Sequence, residues 1–264
     1  MIEYFDPSVR ESDPLAPLGD LDSTREERRL ADVLLPDPRQ VGRVASDVVG
    51  AAQEAAQTDW TRFSLIGAGM VLGSSLLDKS ADRLARKHGD GRWVHRATTF
   101  GNALPVLALG GAAVAAIDNS DPQRAKTAFA ALEAGGVSFL ATTGFRYLVG
   151  RERPGDHVSN YSFKFRPSSG SRFDSFPSRH AIMSWAAATP FAEHYNAPWL
   201  YGVAGITNFG RVAGRQHWFS DTVAGSVLGY AIGKWFYDAS RVPEKGMPRV
   251  SLERSGVNLA WEFQ

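Results

Sequence analysis

Three short polar clusters between residues 146 and 221 constrain this chain more than any other feature. Each is strongly charged, each is flanked by apolar helical sequence, and their chemistry is complete only if the fold brings them together. The first is Arg146-Tyr-Leu-Val-Gly-Arg-Glu-Arg153-Pro154, the second Phe176-Pro177-Ser178-Arg179-His180, and the third Gly210-Arg211-Val-Ala-Gly-Arg-Gln-His217-Trp-Phe-Ser-Asp221. Phosphoryl chemistry without a metal needs fixed cations around the equatorial oxygens, an in-line nucleophile and an acid for the leaving oxygen. Arg146, Arg153 and Arg211 are permanently charged forks that match phosphate oxygens better than lysine does. His217 is a candidate nucleophile, and Asp221, four residues on, reaches one ring nitrogen if the segment turns into a helix. In the second cluster Pro177-Ser178 precedes an apolar run. That order predicts a helix whose first N–H groups, on Ser178, Arg179 and His180, point at an anion, with the His180 ring beside it.

The clusters resemble the three signature motifs of the type-2 phosphatidic acid phosphatase and vanadium haloperoxidase superfamily. Its first motif is Lys, six residues, Arg-Pro; here Arg146 takes the lysine position and Arg153-Pro154 match. Its second, Pro-Ser-Gly-His, reads Pro177-Ser178-Arg179-His180, with arginine in the glycine slot. Its third is Ser-Arg, five residues, His, three residues, Asp; Arg211, His217 and Asp221 match and Gly210 replaces the serine. The resemblance implies an all-α fold with a six-helix core bundle. It also implies His217, His180 and Asp221 as catalytic residues, and Arg146, Arg153, Ser178, Arg179 and Arg211 as phosphate ligands. It implies no metal and no other cofactor; vanadate enters only if the chain is a haloperoxidase.

The remainder of the chain is compatible with one large domain, since 264 residues bury a substantial core. A net charge of +1 with interspersed signs argues against a general nucleic-acid surface. The absence of cysteine excludes disulfides, thiol catalysis and thiolate metal sites, and is permissive of a periplasm. Residues 1–45 carry proline breaks and a charged run and read as an extended arm; 46–240 form the helical phosphatase domain; 241–264 form a C-terminal hairpin packed on it. No signal peptide is visible, so either export does not use one or the sequence begins after processing. Helical periodicity predicts a short helix over 41–56 and six longer ones over 61–77, 98–117, 123–149, 178–195, 197–210 and 220–237. Thr98 to Ile117 is uncharged over a length just sufficient to span a bilayer, but a mean hydropathy of −0.22 is low for six spanning helices. A soluble or membrane-associated bundle is therefore favoured, with an integral membrane protein as the alternative. The polar loop from Gly155 to Ser175 is long for a compact domain and is placed to cover the phosphate pocket.

His88, His95, His157 and His194 lie outside the clusters and read as solvated or structural, and Trp185, Trp199, Trp218 and Trp235 read as packing residues. Arg151, Arg172 and Arg215 are divided evenly between pocket and surface. The expected function is a metal-independent phosphomonoesterase of the bacterial cell envelope, periplasmic or membrane-associated, acting through a phosphohistidine on a lipid phosphate or small phosphate ester. The alternatives are a vanadate-dependent haloperoxidase and a non-catalytic anion-binding envelope protein. Nothing in the sequence sets the oligomeric state.

Overall fold

Capped apolar stretches joined by short polar turns give eight α-helices among the described residues. The computed structural model describes residues 38–89, 91–118, 120–155, 157–166, 172–241, 249–253 and 256–260. The helices are α1 (Pro38–Gln57), α2 (Trp60–Ser75), α3 (Asp78–His88), α4 (Arg92–Ile117), α5 (Pro122–Leu148), α6 (Arg179–His194), α7 (Trp199–Ala213) and α8 (Phe219–Arg241). Aspartates start two of them. Asp59 accepts from the Arg62 N–H at 3.0 Å, and Asp121 accepts from those of Gln123 and Arg124 at 3.0 and 3.1 Å, with Pro122 in the first turn where its missing N–H costs nothing.

Six of these helices overlap the six expected from periodicity. No helix is expected from the sequence over α3, a short and highly charged segment of 11 residues. Helix α1 begins at Pro38 rather than Val41, so the last residues assigned to an extended arm are helical; residues 1–37 lie outside the described region. The long loop after α5 is not structureless: β1 (Val149–Arg151) pairs antiparallel with β2 (Phe163–Phe165), with Gly150 opposite Lys164. At the other end β3 (Arg249–Glu253) pairs antiparallel with β4 (Gly256–Ala260), Arg249 opposite Ala260, and β3 runs along α1. Of the segment 241–264 expected as a hairpin, Arg241 ends α8, and residues 242–248, 254–255 and 261–264 lie outside the described region.

Helix α6 is central, packed against α5, α7 and α8; α4 lies across α5, α6 and α7, while α1 and α2 flank α8. Small residues bring these axes close. Ala130, Ala134, Ile182, Ala186, Ile232 and Phe236 form one buried cluster between α5, α6 and α8. A Cβ on Gly229 would collide with the Ile182 carbonyl, so α8 meets α6 backbone to backbone, and the N-terminal ends of both helices arrive at one place.

The outer surface is unusually apolar. Helix α2 buries only Gly67 and Ser74 and exposes Leu65, Ile66, Met70 and Leu72, the first by 71%. A helix apolar on every side has no polar face to give to water. Val106, Leu107, Val114 and Ile117 are exposed along α4. Helices α4 and α5 are each long and apolar enough to cross a membrane.

Candidate active site

The turn between α7 and α8 holds His217, which is 1% exposed. Its Nδ1 lies 2.7 Å from the Ser175 carbonyl oxygen. A carbonyl can only accept, so Nδ1 carries the ring proton and Nε2 keeps its lone pair. Nε2 is buried without a hydrogen-bond partner in the protein. Asp221, the residue expected to hold this ring, stands 3.8 Å from Nδ1. That is too long for a hydrogen bond, so the carboxylate acts on the ring as a nearby fixed charge. Its oxygens are taken elsewhere: Oδ2 accepts from the Ser175 hydroxyl at 2.5 Å and the Trp218 N–H at 2.9 Å, and Oδ1 accepts from Arg151 at 2.6 Å. The Trp218 contact is the acidic half of a capping box, which explains why Asp221 opens α8. Burial lowers the His217 pKa, Asp221 opposes that shift, and Arg211 and Arg153 reinforce it. The ring is therefore neutral at pH 7, the state a nucleophile requires.

Helix ends supply the cations. Arg146 ends α5, Arg179 and His180 open α6, and Arg211 ends α7. Arg211 is 5% exposed and donates through Nη1 to Asn102 on α4. Arg179 lies over the Phe139 ring, 4.7 Å from its centroid. The Nε atoms of Arg146, Arg179 and Arg211 and the hydroxyl of Ser178 are buried without partners, as is His217 Nε2. Buried polar groups are ordinarily paired, so each exception needs a reason. Five of the ten exceptions among the described residues belong to the residues singled out from the sequence. Four are groups able to donate to an oxyanion, and the fifth is a ring lone pair able to act as a nucleophile. Burial, then Arg211, His217, Arg146 and Arg179 in that order, push His180 down to about 4. Direct contacts tie the clusters together as well: Arg153 Nη1 donates to Gln216 at 2.8 Å and the Ser178 N–H to the Asp221 carbonyl at 3.1 Å. Burial, then the positive charges of Arg153 and Arg146, likewise lower Arg211 to about 10, which leaves it fully charged at neutral pH.

Two expectations change in detail. The Ser178 N–H, expected to face the anion, donates instead to the Asp221 carbonyl at 3.1 Å, because α6 and α8 approach so closely; the Ser178 hydroxyl is the group left over. Arg153 is largely engaged: Nε and Nη2 grip Asp174 at 2.7 and 2.8 Å, and Nη1 donates to Gln216 at 2.8 Å. Two of its five N–H groups remain for a ligand. Burial would raise the Asp174 carboxyl, but the Arg153 hydrogen bonds outweigh it and hold the pKa below the usual value.

The undecided arginines separate cleanly. Arg172 pairs with Glu152 and Arg215 with Asp82, both at 2.8 Å. Arg151 is buried at 2% exposure between Asp221 and Asp78, with Nη2 2.7 Å from the latter. Asp78, on α3, also accepts from the Ser220 N–H and hydroxyl, each at 2.8 Å, and so caps α8 from another helix. Sequence reasoning passed over Asp78, Asn102, Asp174 and Ser175. Ser175 alone left a signal, since it abuts the second cluster.

Gly210, where the family motif carries serine, has a structural cause. A Cβ there would collide with the Ala97 carbonyl, and its Cα sits against Gly101, so α7 touches α4 directly and delivers Arg211 to Asn102. Restoring the motif residue with Gly210→Ser should therefore harm the protein. We expect a loss of about 1–3 kcal/mol from overpacking, read as a lower unfolding midpoint, together with a raised KM as Arg211 shifts. A variant as stable and active as the parent would refute this account of the glycine.

Among the described residues no group of three or more His, Asp or Glu side chains is arranged to hold a metal. The family model of the PAP2 superfamily matches residues 127–242. The chain is 34% identical over 88 residues to the Lipid A 1-phosphatase of Porphyromonas gingivalis, an alignment covering 31% of this chain and 20% of that protein. The chain thus spans about a fifth of the length of that curated relative. No solved structure matches. All eight residues singled out from the motifs fall inside the matched segment, and it is through that segment that the chain is similar to the PAP2 superfamily.

Proposed function

We propose that this chain is a metal-independent phosphomonoesterase of the bacterial cell envelope that removes phosphate from a phosphorylated lipid by way of a phosphohistidine on His217. The observation that carries this reading is the buried, partnerless Nε2 of His217, its proton committed to the Ser175 carbonyl, among three arginine Nε groups that also lack partners. Arg146, Arg179 and Arg211, with the Ser178 hydroxyl, hold the phosphate oxygens, and Arg153 contributes its remaining N–H groups. Nε2 attacks phosphorus as the ester P–O bond breaks, and His180 gives its proton to the departing oxygen. Asp221 stabilises the imidazolium charge that develops. Water then attacks the phosphohistidine, His180 takes the proton from that water, and His217 and inorganic phosphate are released. The apolar outer faces of α2 and α4 suit contact with a lipid surface, and a relative named for a lipid phosphatase supports a lipid substrate.

Acid-quench of the enzyme during turnover of a labelled phosphate monoester, with chelator in excess, should trap an acid-labile phosphoenzyme in the parent and none in His217→Gln. Binding of vanadate as a phosphate mimic should survive in His217→Gln, which shows that the variant is folded. Trapped label in that variant, or loss of parental activity on chelation, would sink the proposal.

A further inference from the structure

Ser175 stands between the His217 ring and the Asp221 carboxylate, and its own placement is fixed on both sides. It is fully buried, and its N–H donates to the Arg151 carbonyl at 2.9 Å. The residue before it, Asp174, grips Arg153, and the ring of the residue after it, Phe176, packs edge-on against Phe163 at 6.0 Å. So held, Ser175 meets its two neighbours with different atoms. Its carbonyl oxygen takes the His217 Nδ1 proton at 2.7 Å, while its hydroxyl donates to Asp221 Oδ2 at 2.5 Å. That Oδ2 is the oxygen 3.8 Å from Nδ1, and a direct hydrogen bond would need it about 1 Å nearer. It also accepts from the Trp218 N–H at 2.9 Å. A carboxylate oxygen has two lone pairs, so the Ser175 hydroxyl and the Trp218 N–H leave Oδ2 none for the ring.

We propose that Ser175 is a positioning residue for phosphoryl transfer: its hydroxyl saturates Asp221 and holds the carboxylate off the His217 ring, while its carbonyl alone fixes the ring proton. The inference rests on the phosphatase reading above. The division matters because the free nucleophile and the phosphohistidine ask for opposite surroundings. A carboxylate bonded directly to Nδ1–H favours the protonated ring, which has no lone pair at Nε2 to attack with. A neutral carbonyl selects the same tautomer without adding that charge. Asp221, kept close but not bonded, still stabilises the ring once phosphorylation makes it cationic. The other charged or titratable groups that act on the ring are Arg211, Arg153, Asp174 and His180, and Arg151 binds the second oxygen of Asp221. A hydroxyl has one proton, and Ser175 gives it to Asp221, so removing the hydroxyl acts on the ring through that carboxylate.

The test follows the protonation of the His217 ring by NMR of the full chain labelled with ¹⁵N in its histidines, the signal being assigned by its loss in His217→Gln. In Ser175→Ala the freed lone pair of Oδ2 lets the carboxylate close on Nδ1–H, so His217 should titrate about one pH unit higher than in the parent. The acid limb of kcat/KM for p-nitrophenyl phosphate should move up with it, because a ring of raised pKa stays protonated, and unable to attack, further up the scale. With Asp221→Asn already in place, Ser175→Ala should shift the ring no further, since the amide carries no charge to release. If Ser175→Ala does not fold, Ser175→Cys, close in size and a weak donor, carries the same comparison. A His217 titration unmoved by loss of the hydroxyl, even with a lowered unfolding midpoint, overturns the proposal, as does a shift that persists beside Asp221→Asn. Failure of the parent on every ester, with the titration shift intact, refutes the phosphatase reading instead and leaves the action of Ser175 on the ring standing.

Discussion

His217→Gln should lower kcat by about 10⁴-fold or more on every ester, the scale seen when a nucleophile is removed from a catalytic unit. His180→Ala should be selective: about 10²- to 10⁴-fold down on alkyl phosphates, and far less on p-nitrophenyl phosphate, whose leaving oxygen needs little protonation. The pH dependence follows from the environments of the two rings. His217 must be neutral to attack, and burial holds its pKa below the ordinary histidine value, so the acid limb of kcat/KM lies below that value. His180 must be protonated to serve an alkoxide, and its surroundings push it down to about 4 in the free protein. The kcat/KM for an alkyl phosphate should therefore decline as pH rises from the acidic range. A bound phosphate brings negative charge beside His180 and raises its pKa, so the alkaline limb of kcat should sit at higher pH than that of kcat/KM. An alkaline limb identical for alkyl and aryl esters, and preserved in His180→Ala, would remove His180 from the acid role.

The residues proposed to touch phosphate could be picked out because such chemistry concentrates them in three motifs whose internal spacing fits helix ends. Arg146, Arg179 and Arg211 each sit within a turn of a helix terminus, and periodicity located those termini to within a few residues. What stayed hidden is what holds them. Asp78 lies on a helix that periodicity missed, over a hundred residues from Ser220, and nothing local distinguishes it from a solvated carboxylate. Asn102 is a lone polar residue in an apolar stretch; only the contact of Gly101 with Gly210 turns it into a partner for Arg211. The same contact was visible in the sequence merely as a departure from the family motif. Arg151 shows the limit most clearly, because its neighbours in the chain argue equally for pocket or surface. Burial against Trp218 and Phe163, whose ring centroids lie 5.4 and 5.1 Å from its guanidinium, decides the matter.

That buried guanidinium should be the most sensitive structural position outside the phosphate ligands. Arg151 bridges Asp78 and Asp221, both at 0% exposure, with contacts of 2.7 and 2.6 Å. Removing one member of a buried ionic network leaves its partners charged and unpaired, which costs about 3–5 kcal/mol. Asp78→Ala also strips the cap from the Ser220 N–H, so its unfolding midpoint should drop by roughly 10 °C, at about 2–4 °C per kcal/mol for a domain of this size. Asp78→Asn keeps the shape but turns an amide N–H₂ or a neutral oxygen towards Arg151, so it should recover only part of the loss. Arg151→Met has a second consequence that a purely structural role would not produce. With the guanidinium gone, Asp221 loses the cation that offsets its charge, and the carboxylate acts more strongly on His217 from 3.8 Å. The acid limb of kcat/KM should then move to higher pH, since His217 stays protonated further up the scale. In the double variant Arg151→Met/Asp78→Leu the two losses should fail to add, since each single variant already breaks the Arg151–Asp78 pair, while Asp221 stays unpaired and the Ser220 N–H uncapped. Additive losses with an unmoved acid limb would show that Arg151 and Asp78 do not act as a unit and that Arg151 has no influence on the nucleophile.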